Sequence, residues 1–206
     1  GSIYGLCQRR LFNAAVPFVI YHPSYKNRSM IGARASLMGA FEKNNPKIKV
    51  KVDHYQPKSC LMISDGQLGK IWVEYWLASK DEREKVYNKE KKKHEMKPKA
   101  NAVKSIIDMK KPIIFTNNGQ NQNEESAFLI ASQIGLPFLK NRLVVHVDCN
   151  DLSPKAKRIV FTSTREKTTQ TAVTRDIMNQ IIDFIKSDDQ LKALNDLAAE
   201  EEAKQS

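Results

Sequence analysis

The run Leu143-Val144-Val145-His146-Val147-Asp148 constrains this chain more than any other feature. Its β-branched side chains are stiff and pack well on a pleated surface, so the run reads as a strand at a buried sheet position. A buried strand needs other elements laid against it, and the pattern around it supplies both strands and helices. Phe18 to Tyr21 and Pro112 to Thr116 read as strands, and Ile48 to Val52 alternates apolar and charged residues with the period of a half-buried one. Cys60 to Ile63, a turn at Asp65-Gly66 and the run Lys70 to Leu77 form a hairpin or meander. Within Lys70 to Leu77, Ile71, Val73, Tyr75 and Leu77 share one face, and Trp72, Glu74 and Trp76 share the other. The two tryptophans serve either as a binding surface or as packing beneath a helix, the second being the commoner use.

Helices are expected between these strands. Leu6 to Val16 has near-helical apolar spacing and is stopped by Pro17. Met30, Ala33, Leu37, Met38 and Phe41 mark a second helix, and Ala100 to Met109 a short third. Asn117-Asn118-Gly119 supplies turn chemistry, after which Glu124 to Gln133 reads as a helix with acids in its first turn and Gly135 and Pro137 past its end. Ser153-Pro154 is an N-cap and first-turn pair for a brief helix, and Val160 to Thr164 follows as a strand that ends in a polar stretch. Val173, Ile177, Ile181, Phe184 and Ile185 stripe the clearest helix of the chain, and Leu191, Leu194 and Leu197 mark the last. Strands and helices interleave, so the fold class is α/β or α+β, a mixed β-sheet with helices covering one face.

With 206 residues and 41% hydrophobic content, the chain can build one sizeable core or a main domain with a small appendage. The expected division is a strand-rich segment over 1–99 with a charged connector at 80–99, an α/β unit over 100–188 and an acidic helix over 189–206. No apolar run approaches the roughly 18 residues of a membrane span. Gly1-Ser2 resembles the scar of a cleaved expression tag, so the native chain is expected to extend further on the N-terminal side. Cys7, Cys60 and Cys149 are odd in number and lack Cys-x-x-Cys spacing, which suggests neither a disulfide framework nor a zinc site and fits a reducing, cytoplasmic setting. His22, His54, His94 and His146 are too scattered for a metal site, and His146, inside an apolar strand, is expected to be a satisfied core residue.

The formal charge of +11 permits attraction to nucleic acid, nucleotide phosphates or anionic lipid. From Lys80 to Lys99 there are nine Lys or Arg against five Asp or Glu, a stretch that reads as a solvated helix or loop. Lys91, Lys92 and Lys93 within it are either a solvated face or a nucleic-acid contact. No Walker loop and no Gly-x-Ser-x-Gly elbow is present. The informative segment is Ser163-Thr164-Arg165-Glu166-Lys167, ahead of the strongest helix. Paired cations in such a loop can stabilise charge spreading over a transferring phosphoryl group, and Arg suits this because its fork donates bidentately. An exposed polar loop with no function is the alternative.

From about Pro112 onward, the order of features resembles the transducer, or middle, domain of the GHKL ATPases, the family of DNA gyrase B, MutL-type repair proteins and the large heat-shock chaperones. The residues that carry the resemblance are Ile113 to Thr116 with Asn117-Asn118-Gly119, then Glu124-Glu125, then Leu143 to Asp148 with Leu152-Ser153-Pro154. Phe161 to Lys167 ahead of the long helix completes it, in the place where the chaperones carry a Ser-Arg-Glu loop and the gyrases a Gln-Thr-Lys loop. Thr164 stands where the chaperones have Ser, and no Gln-Thr-Lys occurs, which leaves two basic residues to choose between. The resemblance implies a left-handed βαβ fold in the C-terminal half. It also implies that Arg165, with Lys167 as second choice, reaches ATP held with magnesium by a preceding ATPase domain. The Asn-bearing helix, Asp-x-Gly-x-Gly box and glycine-rich lid of that domain do not occur in this sequence, so it should not hydrolyse ATP unaided. Expected partners are the preceding ATPase domain, with DNA or RNA and a second copy of the chain as further candidates, and no membrane. Two other classes of function compete. One is a basic nucleic-acid-binding module using Lys85 to Lys99 with Trp72 or Trp76, and the other is a scaffold that recruits partners through the acidic C-terminal helix.

Overall fold

A computed structural model of the chain describes residues 3–14, 16, 18–22, 25–42, 50–88, 93–99, 103–162 and 172–204. In chain order its elements are α1 (Ile3–Arg10), β1 (Phe18–His22), β2 (Tyr25–Met30), α2 (Ala33–Glu42), β3 (Val52–Met62), β4 (Lys70–Ala78), β5 (Glu82–Asn88) and β6 (Lys93–Lys99). These are followed by α3 (Val103–Ile106), β7 (Ile113–Asn117), β8 (Gln120–Glu125), α4 (Ala127–Leu129), β9 (Leu143–Asp148), α5 (Pro154–Thr162), α6 (Ala172–Lys186) and α7 (Asp189–Ala203). The protein is α+β. Strands β3-β4-β9-β7-β8 make a five-stranded mixed sheet in that order, while β1 with β2 and β5 with β6 form separate two-stranded ribbons. Pairing is antiparallel throughout the large sheet except between β7 and β9, which run parallel with α4 in the connection. Strands from both sides of residues 99 and 100, where a division was expected, share this one sheet.

Helices cover both faces of the sheet, not one. On one face Ile71, Val73, Tyr75, Leu77, Ile113, Phe115, Leu143, Val145 and Val147 pack against Ile130, Val160, Ile177, Ile181, Ile185 and Leu191 from α4 onward. On the other, Trp76, Ala78, Ile114 and Val144 pack against Phe12, Ala33, Leu37, Val103 and Ile107. Alternate residues of β4, β7 and β9 therefore feed two cores, which is why these strands read as near-continuous apolar runs. Trp76 is fully buried, stacked on Tyr55 with ring centroids 5.2 Å apart, and so belongs to the packing under the helices. Trp72 is half-buried and donates to Asp151 at 2.9 Å. Among the described residues no helix is long and apolar enough to cross a membrane.

Several local expectations change. The strands expected at Ile48 to Val52 and Cys60 to Ile63 are one eleven-residue strand, β3, with Val50 and Lys51 ahead of it and 43–49 outside the described residues. Pro57 hid the continuity, and it is tolerated because β3 is an edge strand with a bulge between Gln56 and Ser59. Glu124 and Glu125 lie in β8 rather than opening a helix. Asn118 and Gly119, at φ 52° and 71°, make a tight hairpin turn that sends the chain straight back as a strand. The helix starts only at Ala127, capped by the Ser126 hydroxyl, which accepts from the Phe128 N–H at 3.1 Å. Val160 and Phe161 are helical, because Ala156 and Val160 sit one turn apart on the buried side of α5 and packing overrides β propensity. Within the charged stretch at 80–99, expected as a solvated helix or loop, Glu82–Asn88 and Lys93–Lys99 pair as the antiparallel strands β5 and β6.

Candidate functional site

The face of the sheet under α2 and α3 carries a polar chain that crosses its three central strands. Glu74 on β4 and His146 on β9 are directly opposed, and the His146 Nδ1–H donates to the Glu74 carboxylate at 2.7 Å. The other ring nitrogen, Nε2, accepts from the Thr116 hydroxyl of β7 at 2.8 Å. Arg34 of α2 grips the same carboxylate with two hydrogen bonds, at 2.7 and 2.9 Å, and the Tyr55 hydroxyl of β3 adds one at 3.1 Å. Phe12 closes over His146 with ring centroids 4.4 Å apart. Every lone pair and N–H used here has a partner, as buried polar groups require.

Burial alone would raise the Glu74 carboxyl, but hydrogen bonds from His146 and Arg34 outweigh it and hold the group at about 2. Burial lowers His146, against the pull of Glu74, so the imidazole is neutral with its proton on the nitrogen facing the carboxylate. Burial and the adjacent Glu74 charge push the Tyr55 phenol up to about 12. A neutral imidazole paired with a carboxylate has the parts of a general base. Both side chains are wholly out of contact with solvent, whereas Arg34, 24% exposed, and the half-buried Tyr55 reach the surface. The cluster links α2 to four strands, β3, β4, β7 and β9, and holds them in register. Cys149, also buried, has its thiol pushed up to about 12 by burial, which favours the protonated form.

The chemistry-bearing edge is the one where β7 and β9 both end. In open α/β sheets that edge, at the carboxyl ends of parallel strands, is where ligands bind. Asp148 there pairs with Lys58 at 2.9 Å and accepts from the Asn150 N–H at 3.1 Å, while the Asn118 N–H donates to the Asn150 side chain. Lys70 lies over the Trp72 ring at 5.1 Å. The turn between β3 and β4 reaches the same edge, and its Ser64, at φ 48°, donates through its N–H to Asp176 of α6 at 3.1 Å. The first turn of α6 is thereby fixed at this edge.

Arg165 and Lys167 lie in 163–171, outside the described residues, as do Lys91 and Lys92. What the structure fixes is where their segments leave and return. The first leaves α5 at Thr162 and returns at Ala172, four residues before Asp176. The second joins β5 to β6, and Lys93 opens β6 opposite Asn88. His146, expected as a satisfied core residue, is that. Arg34 was not foreseen from the sequence, although Glu74 within an apolar run was a signal that some cation must come to meet it. Among the described residues no group of three His, Cys, Asp or Glu could hold a metal ion.

The fold and its polar edge define an α+β protein with a mixed central sheet between two helical layers. Comparison with protein-family models, with curated proteins and with solved structures finds no match to this chain.

Proposed function

We propose that this chain is the transducer region of a GHKL-type ATPase and works in the cytoplasm. In this reading Arg165, with Lys167 as second choice, reaches the γ-phosphate of ATP held by a preceding ATP-binding domain, and the region relays nucleotide state to a client or nucleic acid. The observation that supports it is the place at which the segment bearing both residues rejoins the fold. The Ser64 N–H on Asp176 holds the N-terminal part of α6 at the edge where β7 and β9 end, so the chain re-enters the described fold at Ala172 beside that edge, which supports a cation from the preceding segment acting there.

Each part then has a physical role. Magnesium and ATP would be held by the preceding domain, where the metal would supply charge neutralisation of the phosphates. This chain contributes a guanidinium whose planar fork meets the equatorial oxygens as charge spreads over them. Helix α6, with Ile177, Ile181 and Ile185 in the core, is the element that would couple the segment before it to the sheet. The test is Arg165→Ala in the protein that joins this region to its ATP-binding domain. Turnover is expected to fall by on the order of a thousandfold with ATP affinity nearly unchanged. Unaltered turnover in both Arg165→Ala and Lys167→Ala removes the mechanism.

A further inference from the structure

Two helices carry the same spacing with opposite charge. Ile3, Leu6, Arg9 and Arg10 of α1 stand three, three and one residue apart, and Leu194, Leu197, Glu200 and Glu201 of α7 repeat that spacing. Positions three and four apart fall on one side of a helix, so each set forms a stripe in which two apolar side chains lead into two charges. Both stripes meet solvent. Ile3 and Leu6 are 73% and 56% exposed, Leu197 is 55% exposed, and all four charged residues are exposed, with only Leu194 half-buried. An amphipathic helix ordinarily turns its apolar residues inward, and these two leave some outside. Because Ile3, Leu6 and Leu197 all keep their exposure, the two stripes do not cover each other within one copy. Their surroundings differ in sign as they do. Residues 1–41 contain five Lys or Arg and no Asp or Glu, whereas 189–203 contain five acids and one lysine.

We infer that copies of this chain associate through these helices, α1 of one copy lying parallel to α7 of another. Parallel alignment in register sets Ile3 beside Leu194 and Leu6 beside Leu197, which removes apolar surface from water, and brings Arg9 and Arg10 to Glu200 and Glu201. Antiparallel alignment would set the charges against the leucines. Each copy carries both stripes, so the contacts either close in a reciprocal pair or ring, or continue from copy to copy. Within its own copy Glu201 bonds Lys80, and Glu200 lies 3.8 Å from Lys204. Those pairs are exposed at both ends and contribute little to stability, so exchanging them for Arg9 and Arg10 costs little. An anionic lipid surface would meet α1 but would leave the acidic stripe of α7 without a role. This inference is independent of the ATPase reading.

The test is sedimentation velocity of the 206-residue chain at rising concentration. Self-association is expected at about 50 mM salt and should weaken at about 500 mM, where screening shortens the reach of exposed charges. Arg9→Glu with Arg10→Glu sets acid against acid, and Glu200→Lys with Glu201→Lys sets base against base, so each double variant alone is expected to be monomeric. Mixed in equal amounts, the two variants restore both pairings with the charges reversed and should associate. A purely structural role for these residues would not be repaired by mixing. Leu197→Ser, which keeps every charge, is expected to weaken association by about tenfold or more. Circular dichroism confirms that each variant is folded. The inference is overturned if the unaltered chain stays monomeric up to about 100 μM at low salt, if either double variant associates as the unaltered chain does, or if their mixture stays monomeric. Retention of a monomeric chain on vesicles of phosphatidylserine and phosphatidylcholine, lost in Arg9→Glu with Arg10→Glu, would overturn it in favour of a lipid surface.

Discussion

Glu74 and His146 stand at directly opposed positions of the antiparallel pair β4 and β9, joined Oε1 to Nδ1 at 2.7 Å, with neither side chain exposed to solvent. Their bond is one link of a chain that continues to Arg34 on one side and Thr116 on the other. Such a network is costly to break at one point and cheap to replace whole. Glu74→Gln should therefore lower stability by about 3 kcal/mol in urea denaturation, since Arg34 and His146 lose the charge they were placed to meet. The triple change Arg34→Met, Glu74→Leu and His146→Leu should recover most of that loss. Single-site losses that simply add up to the triple would show that these residues do not act as a unit.

The same pair sets a pH dependence whose sign follows from the direction of both shifts. Burial lowers His146 below its ordinary value of 6.5, so as pH falls through that region the unfolded chain takes up a proton that the folded chain refuses. Glu74, held at about 2 against an ordinary 4.5, repeats this lower down. Both contributions are complete above the unfolded values and are lost on acidification. Stability should drop from pH 7 to 5.5, by up to about 1.4 kcal/mol per pH unit for each proton involved, and again below pH 4.5. In His146→Gln the first drop should shrink while the second remains. An identical profile in that variant would assign the first drop to other groups.

The parts of this fold that could be read from the sequence are those where one pattern decides. The β-branched run of β9, the apolar alternation of β4, the Asn118-Gly119 turn and the stripe from Val173 to Ile185 each have a single good reading, and the structure keeps them. The ribbon from Glu82 to Lys99 was hidden for a physical reason. Its sequence alternates charge against charge and not apolar against polar, so the usual signal of a strand is missing. Val160 was misread because local propensity was allowed to outvote the four-residue spacing to Ala156 that places both in the core. The polar cluster was half legible. Glu74 inside an apolar strand demands a partner, but Arg34 and His146 lie 40 and 72 residues away, brought in by the packing of α2 and by the register of β4 on β9.

A second cluster pins the last helix. Asp188 accepts from the Tyr75 hydroxyl at 2.6 Å and lies 3.1 Å from His54, while its other oxygen accepts from the Gln190 and Leu191 N–H groups at the start of α7. Burial works against the carboxylate, yet these donors hold it below its usual range. Asp188→Ala should cost about 2–4 kcal/mol, combining a lost cap with a Tyr75 hydroxyl left buried without a partner. Asp188→Asn keeps the capping oxygen and should cost about half as much. Amide hydrogen exchange will locate the damage, with faster exchange at the N-terminal turn of α7 in Asp188→Ala. Unchanged exchange there would show that α7 is held by its apolar contacts alone.

Gly119 and Gly135 separate two costs that are usually mixed. Both have positive φ, at 71° and 84°, so any side chain meets the same backbone penalty of about 1 kcal/mol or somewhat more. Their surroundings differ. A Cβ on Gly135 would have nothing within 4 Å, whereas one on Gly119 would lie 1.8 Å from the Asn13 carbonyl oxygen. Gly119 also accepts from the Asn13 N–H at 3.0 Å, so relieving the clash would break the contact that holds the segment after α1 against the hairpin turn. Gly135→Ala should therefore cost only the backbone term, and Gly119→Ala about 3 kcal/mol or more, both measured by thermal or urea unfolding. Near-equal losses would mean that the segment around Asn13 yields freely, and the close approach of Asn13 to Gly119 would then contribute nothing to stability.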